Sequence, residues 1–279
     1  MRRQVTAVKG SADRWRLDEE TVARGLAETR SRAQALIMAG AIEVNGQPCL
    51  RAGQPVRPAD RIELTEPPRF VSRGGEKLDH GLDRFEIEVA GLVAADLGAS
   101  TGGFTDSLLQ RGVARVYAVD VGYGQLHARL RSDPRVEVLD RVNARYLDQL
   151  PEQVDIVTID VSFISLALVL PTAAKLLNAG GWCVPLIKPQ FEAGRGEVGK
   201  GGVVRAAEVR RRCVERVLSE AIGHGFSMHG VTASPLLGPA GNVEFLASLR
   251  LDHATTAPER VVAMVDQAMS EATVIEGAR

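Results

Sequence analysis

The segment Asp96-Leu97-Gly98-Ala99-Ser100-Thr101-Gly102-Gly103-Phe104 ends an apolar run in a glycine-rich turn, and Asp120 ends the next run, 22 positions beyond Gly98. Glycine lets a backbone turn tightly and approach a ligand, and a carboxylate at that separation can accept hydrogen bonds from both hydroxyls of an adenosine ribose. The two features together read as a site for an adenosine-containing cofactor. Dinucleotide enzymes share this layout, with a G-x-G-x-x-G loop whose amides meet a pyrophosphate. Here the pattern is Gly98-x-Ser100-x-x-Gly103. Serine in the middle position crowds a pyrophosphate, which favours a phosphate-free methyl donor such as S-adenosylmethionine. A dinucleotide and a purely structural glycine turn are the alternatives. Four further charged residues stand apart from the loop: Lys77, Asp160 and Lys188 at the ends of apolar runs or close after a glycine pair, and Glu244 in Gly241-Asn242-Val243-Glu244-Phe245. Lysines and acids gathered at one sheet edge can orient a substrate and take up a proton.

The elements that must position these groups are legible as alternating runs. Val93–Leu97, Val116–Val119, Val136–Leu139, Ile156–Ile159 and Trp182–Ile187 are short and apolar, with helical stretches between them. That pattern predicts an α/β, Rossmann-like domain with a mostly parallel sheet, helices on both faces, and ligands outside the carboxyl ends of the strands.

A smaller unit precedes it. Leu17, Val22 and Leu26, then Ala33, Leu36, Ile37 and Gly40, fit two short amphipathic helices, the second started by Thr29 or Ser31. Ile42, Glu43 and Val44 alternate in the manner of a strand, and Asn45-Gly46 is a hairpin turn. Pro67-Pro68 ends the unit. The expected organisation is an extension over 1–13, an α+β unit over 14–68, a linker over 69–76 with Gly74-Gly75 as its hinge, and the catalytic domain over 77–279.

Composition narrows the classes. At 279 residues and 45% hydrophobic content the chain suits two soluble domains. Residues 1–13 lack the apolar core of a secretory leader, and the longest apolar stretch, Val161 to Leu170, falls short of the roughly 20 residues of a membrane span. The expected location is the cytoplasm. Three widely spaced cysteines and five scattered histidines suggest neither a disulfide framework nor a metal site. A net charge of −1 argues against coating nucleic acid non-specifically, although the first 80 residues carry about +3. The glycine-rich then basic stretch Arg195 to Arg216 reads either as an RNA-facing lid with a phosphate-contacting helix or as a solvated exterior. Val261, Val262, Val265 and Met269 form a helical stripe best explained by core packing.

Arg24 to Gly46, R-G-L-A-E-T-R-S-R-A-Q-A-L-I-M-A-G-A-I-E-V-N-G, resembles the S4 RNA-binding domain. That resemblance implies RNA contact by Arg24, Arg30, Arg32 and Arg51, with Arg73 beyond. Six further segments resemble the TlyA-type rRNA methyltransferases, also known as haemolysins: S-R-G-G-E-K-L, D-L-G-A-S-T-G-G-F-T, A-V-D-V-G-Y-G-Q-L, D-V-S-F-I-S-L, L-I-K-P-Q-F-E and S-P-L-L-G-P-A-G-N-V-E. The catalytic half of that family is similar to the FtsJ-type ribose 2′-O-methyltransferases, with a seven-stranded sheet and a Lys-Asp-Lys-Glu tetrad. The resemblance implies methylation of a cytidine 2′-hydroxyl in ribosomal RNA, within ribosomal subunits, with S-adenosylmethionine as cofactor and no metal. The tetrad falls on Lys77, Asp160, Lys188 and Glu244. Cofactor contacts fall on Asp96, Gly98, Ala99, Ser100, Gly102, Gly103, Phe104, Asp120, Asp140 and Asn143. In this reading Lys188 takes the hydroxyl proton, Lys77 positions the hydroxyl or stabilises the developing alkoxide, and the two acids orient the lysines and the ribose.

Two other classes compete. A non-catalytic RNA-binding or assembly protein would keep the fold without the chemistry. A membrane-active haemolysin would need a spanning or strongly amphipathic segment, and the sequence offers no convincing one.

Overall fold

The computed structural model describes residues 14–38, 40–65, 68–194 and 196–277. The expected extension over 1–13, the first proline of the Pro67-Pro68 stop, and Arg195 lie outside these residues. The chain divides into two compact units, Met1–Arg69 and Phe70–Arg279.

In the first unit β1 (Trp15–Arg16) leads into α1 (Leu17–Ala23) and α2 (Arg30–Met38), followed by β2 (Ile42–Val44), β3 (Gln47–Pro48), β4 (Pro55–Val56) and β5 (Ile62–Leu64). Thr29 starts α2, its hydroxyl accepting the Arg32 amide at 3.2 Å. Asn45 and Gly46 both have positive φ, 53° and 77°, as a two-residue hairpin turn requires, and they join β2 to β3. β5 pairs on the other side of β2. Leu17, Ile37, Ile42, Val44, Val56 and Ile62 meet in the core. Asp18 is fully buried among them, where its carboxylate accepts from Arg16, Arg30 and Gln34 at 2.8–3.0 Å. These partners, Arg16 above all, hold its carboxyl well below the usual carboxylate range.

The second unit opens with α3 (Arg73–Arg84), β6 (Val93–Leu97), α4 (Gly103–Gln110), β7 (Arg115–Asp120), α5 (Ala128–Arg131), β8 (Val136–Asp140) and β9 (Val154–Ile159). It continues with α6 (Leu170–Leu176), β10 (Leu177–Ile187), α7 (Pro189–Glu192), α8 (Ala207–Gly223), β11 (Phe226–Ala233), β12 (Phe245–Leu251) and α9 (Pro258–Gly277). The seven strands run in the order β11-β12-β10-β9-β6-β7-β8. β6 to β10 run parallel to one another and β12 is antiparallel to both β10 and β11. Side chains of α3 and α4 cover one face; those of α6, α8 and α9 cover the other. Strands buried on both faces are apolar throughout, which is why these runs stand out in the sequence. In α9, Val265 is buried and Val261 and Met269 pack on the core, while Val262 faces outward. All three cysteines are buried and free.

One element departs from expectation. Gly74 and Gly75 do not form a hinge; they lie in the first turn of α3. A Cβ on Gly75 would stand 2.3 Å from the Phe70 ring, and one on Gly103 would stand 2.7 Å from the Gly75 nitrogen. The missing side chains let α3 start against Phe70 and against the first turn of α4.

Candidate active site

Chain order reverses between β6 and β9, so their carboxyl ends open the crevice that ligands occupy in such sheets. Gly98 follows β6 at φ +88°, and a Cβ there would lie 2.6 Å from the Asp160 carbonyl oxygen. Only glycine lets the two strand ends come together at that point. Ser100 also has positive φ, 49°, and its amide donates to Asp120 Oδ2 at 2.8 Å. Gly122 donates to Asp120 Oδ1 at 2.7 Å. Each oxygen of Asp120 thus keeps one lone-pair direction for a ligand.

Two hollows meet at this edge. One, of about 760 Å³, is lined by Asp120 and Asn143 with apolar Val121, Val142, Ile164 and Leu168. The other, of about 520 Å³, receives Lys77, Lys188 and Glu244. Gly98, Ser100, Asp160, Ser162 and Phe163 belong to both.

The four charged residues form two ion pairs in that second hollow. Lys77 reaches in from α3 and donates to Glu244 Oε2 at 2.5 Å, with side chains only 8% and 1% exposed. Lys188, just past β10, lies 2.6 Å from Asp160 Oδ1 at the end of β9. Each pair has a neutral companion: Gln190 Nε2 donates to Glu244 Oε1 at 3.2 Å, and Lys188 donates to Ser162 Oγ at 3.0 Å. Phe163, at φ +63° and 91% exposed, stands at the mouth with its ring 5.0 Å from that of Phe191. A bulky residue with positive φ is uncommon, and such strain gathers at functional sites. Sequence reading passed over Ser162, Phe163 and Gln190. Their signal was position, two or three residues beyond the charged group that follows a strand.

Several expected site residues have other duties. Asp96 is fully buried and lines neither hollow; it accepts from Thr105 at 2.7 Å and Thr158 at 3.1 Å, tying α4 to β9. Asp140 is drawn to Arg131, at 2.9 and 3.2 Å, and also lines neither hollow. Gly102 turns the chain against Leu126 and Leu130, and Gly103 packs on α3. Ala99, Gly103 and Phe104 do line the second hollow, although most of Phe104 lies in the core.

Of the arginines, Arg24 is taken up by Glu20 and by the carbonyls of Asp60 and Pro58, and Arg30 by Asp18 and Glu19. Arg32 and Arg51 are exposed, and among the described residues neither side chain has an ion-pair partner; Arg73 is exposed and lines the second hollow. The basic helix α8 is matched by acids: Arg210 by Glu276, Arg211 by Asp266, Arg212 by Glu197 and Arg216 by Glu192. Those pairs tie α8 to α7, to α9 and to the segment before it.

Burial pushes the Asp96 carboxyl up to about 7, against the lowering effect of its two threonine bonds, and the nearby Asp160 charge adds to the rise. In the unfolded chain the group ionises near its ordinary 3.8. Its contribution to stability is therefore fully present below that value and lost as pH rises through about 7. Asp96→Asn, neutral at every pH, is expected to gain on the parent by on the order of 3 kcal/mol between pH 5 and pH 8 in urea titrations. Parallel stability profiles for the two chains would show that Asp96 is ionised in the fold.

No described helix is long and apolar enough to cross a membrane. Among the described residues no group of three or more His, Cys, Asp or Glu is arranged to hold a metal.

Comparison with known proteins agrees with this geometry. The FtsJ-like methyltransferase family matches residues 70–251, and the S4 domain matches residues 15–62. The 16S/23S rRNA (cytidine-2'-O)-methyltransferase TlyA of Mycobacterium tuberculosis is 49% identical over 243 residues, 86% of this chain and 91% of that protein. Hemolysin A of Brachyspira hyodysenteriae is 42% identical over 238 residues, 83% of this chain and 98% of its own length. Among solved structures, a chain described as a hemolysin from Streptococcus thermophilus superposes with a TM-score of 0.72 at 40% identity, covering 96% of this chain and 100% of that one.

Proposed function

Since this chain belongs to the FtsJ-like methyltransferase family, among relatives named TlyA and hemolysin A, and carries an S4 domain in front, we propose that it methylates a cytidine ribose 2′-hydroxyl in ribosomal RNA. The observation that carries this reading is the meeting of two lysine–acid pairs with an adenosine-sized hollow along one shared wall. When bound, S-adenosylmethionine supplies a methyl group already activated by its sulfonium. The donor set suits it: Asp120 has acceptor directions left for ribose hydroxyls, and Val121, Val142, Ile164 and Leu168 offer an apolar bed for an adenine. Asn143 lines the same hollow.

The residues then have to align the hydroxyl and remove its proton. Lys188, once its ion-paired ammonium has released a proton to solvent, accepts that proton, and Asp160 at 2.6 Å carries the countercharge of the ammonium that results. Lys77, held by Glu244, presents its remaining N–H bonds to the ribose oxygen as negative charge grows there. An unpaired base would find a stacking face in Phe163. Arg73 at the rim of the hollow, with Arg32 and Arg51 on the front unit, supplies cations for phosphates, which position an RNA without reading its sequence. Ribosomal subunits are the natural partner, and the cytoplasm the natural location.

The test is transfer of labelled methyl from S-adenosylmethionine to purified ribosomal subunits lacking the modification, with the product nucleotide mapped. Label on a cytidine 2′-oxygen is the expected result. Asp120→Ala is expected to weaken cofactor binding by at least about tenfold in calorimetry, the loss of a charge-assisted hydrogen bond. No transfer to either subunit by a folded chain would turn the assignment to a non-catalytic RNA-binding protein.

A further inference from the structure

The amide of Asn242 is 98% hidden and uses both ends on one segment. Its Oδ1 accepts the Val204 amide at 2.9 Å, and its Nδ2 donates to the Gly202 carbonyl at 2.8 Å. That segment is a self-closed turn: Gly199 donates to the Val203 carbonyl and Gly202 to the Gly199 carbonyl, both at 3.0 Å. Gly201 and Gly202, at φ +81° and +76°, form part of the wall of the catalytic hollow, beside Pro239 and Ala240. Residues 199–202 are exposed, and Val204 is buried. Among the described residues, the two bonds from Asn242 are the hydrogen bonds that join 199–205 to the rest of the unit. The same turn that carries Asn242 also carries Glu244. The Gly238 amide donates to the Asn242 carbonyl at 2.8 Å, and a Cβ on Gly238 would lie 2.5 Å from Glu244 Oε1.

We propose that Gly199–Val204 is a lid on the substrate side of the hollow and that Asn242 is its latch, a positioning residue linking lid closure to the turn that holds Glu244 against Lys77. The inference rests on the methyl-transfer reading and adds a gate for the nucleotide. An exposed, glycine-rich turn with two external hydrogen bonds belongs to the part of a fold that opens most readily. Opening it removes Gly201 and Gly202 from the wall, which lets a polymer strand enter. Reclosing excludes water around the paired charges.

Asn242→Leu and Asn242→Ala in the full chain test this by amide hydrogen exchange and kinetics together. Exchange at Val204 is expected to rise at least about tenfold, with Gly238, whose acceptor is a backbone carbonyl, unchanged as the internal reference. The KM for ribosomal substrate is expected to rise about tenfold while cofactor affinity stays within about twofold. Unchanged exchange at Val204 would overturn the latch. Faster exchange with KM and kcat unaltered would overturn the gate while leaving the methyltransferase assignment standing. A parent chain that transfers no methyl group would overturn that assignment and the gate with it, and it would be recognised before any variant is made.

Discussion

Lys188→Ala is expected to bind S-adenosylmethionine as the parent does and to transfer methyl about 10³-fold more slowly in single turnovers, the usual scale for loss of a positioned base. Lys188→Arg separates the base from its charge. A guanidinium keeps the attraction to Asp160 but cannot give up its proton. If both variants are equally slow, Lys188 works by accepting the proton. If the arginine chain keeps most of the parent rate, Lys188 acts as a fixed cation and the base lies elsewhere.

The second large effect concerns the Lys77–Glu244 pair. Its side chains are 8% and 1% exposed, so Glu244→Ala leaves an ammonium in a dry site without its countercharge. Breaking such a pair from one side costs about 3–5 kcal/mol, whereas replacing both partners by apolar groups is often close to neutral. Glu244→Ala is therefore expected to lose several kcal/mol in urea unfolding, and Lys77→Met/Glu244→Leu to recover most of that stability while remaining inactive. A single variant as stable as the parent would mean that water reaches Lys77 freely. Gln190, which donates to the same carboxylate, loses its acceptor in either chain.

The sheet was legible because burial on both faces leaves continuous apolar runs; Val93–Leu97 was read with the bounds it has in the fold. The Asn45-Gly46 turn was legible because few residues tolerate positive φ. Less legible was the start of α3. A glycine pair reads as a break, yet Gly75 is there to admit the Phe70 ring, a contact made in space rather than along the chain. Asp96 and Asp120 look alike as acids near the ends of adjacent strands, and only the fold shows that one turns into the interior and the other lines a hollow. Arg24 and Arg30 sit in an RNA-binding pattern, but nearby acids and carbonyls compete for their donors, and charge patterning along the chain does not weigh such three-dimensional competition.

The shared wall of Gly98, Ser100, Asp160, Ser162 and Phe163 bears on inhibitor design. Fragments seated separately in the two hollows would touch the same residues, so a short covalent tether between them gains effective concentration without crossing open solvent. Selectivity would come from the tethered pair as a whole, which must match the hollow beside Asp120 and the hollow of the lysine–acid pairs together.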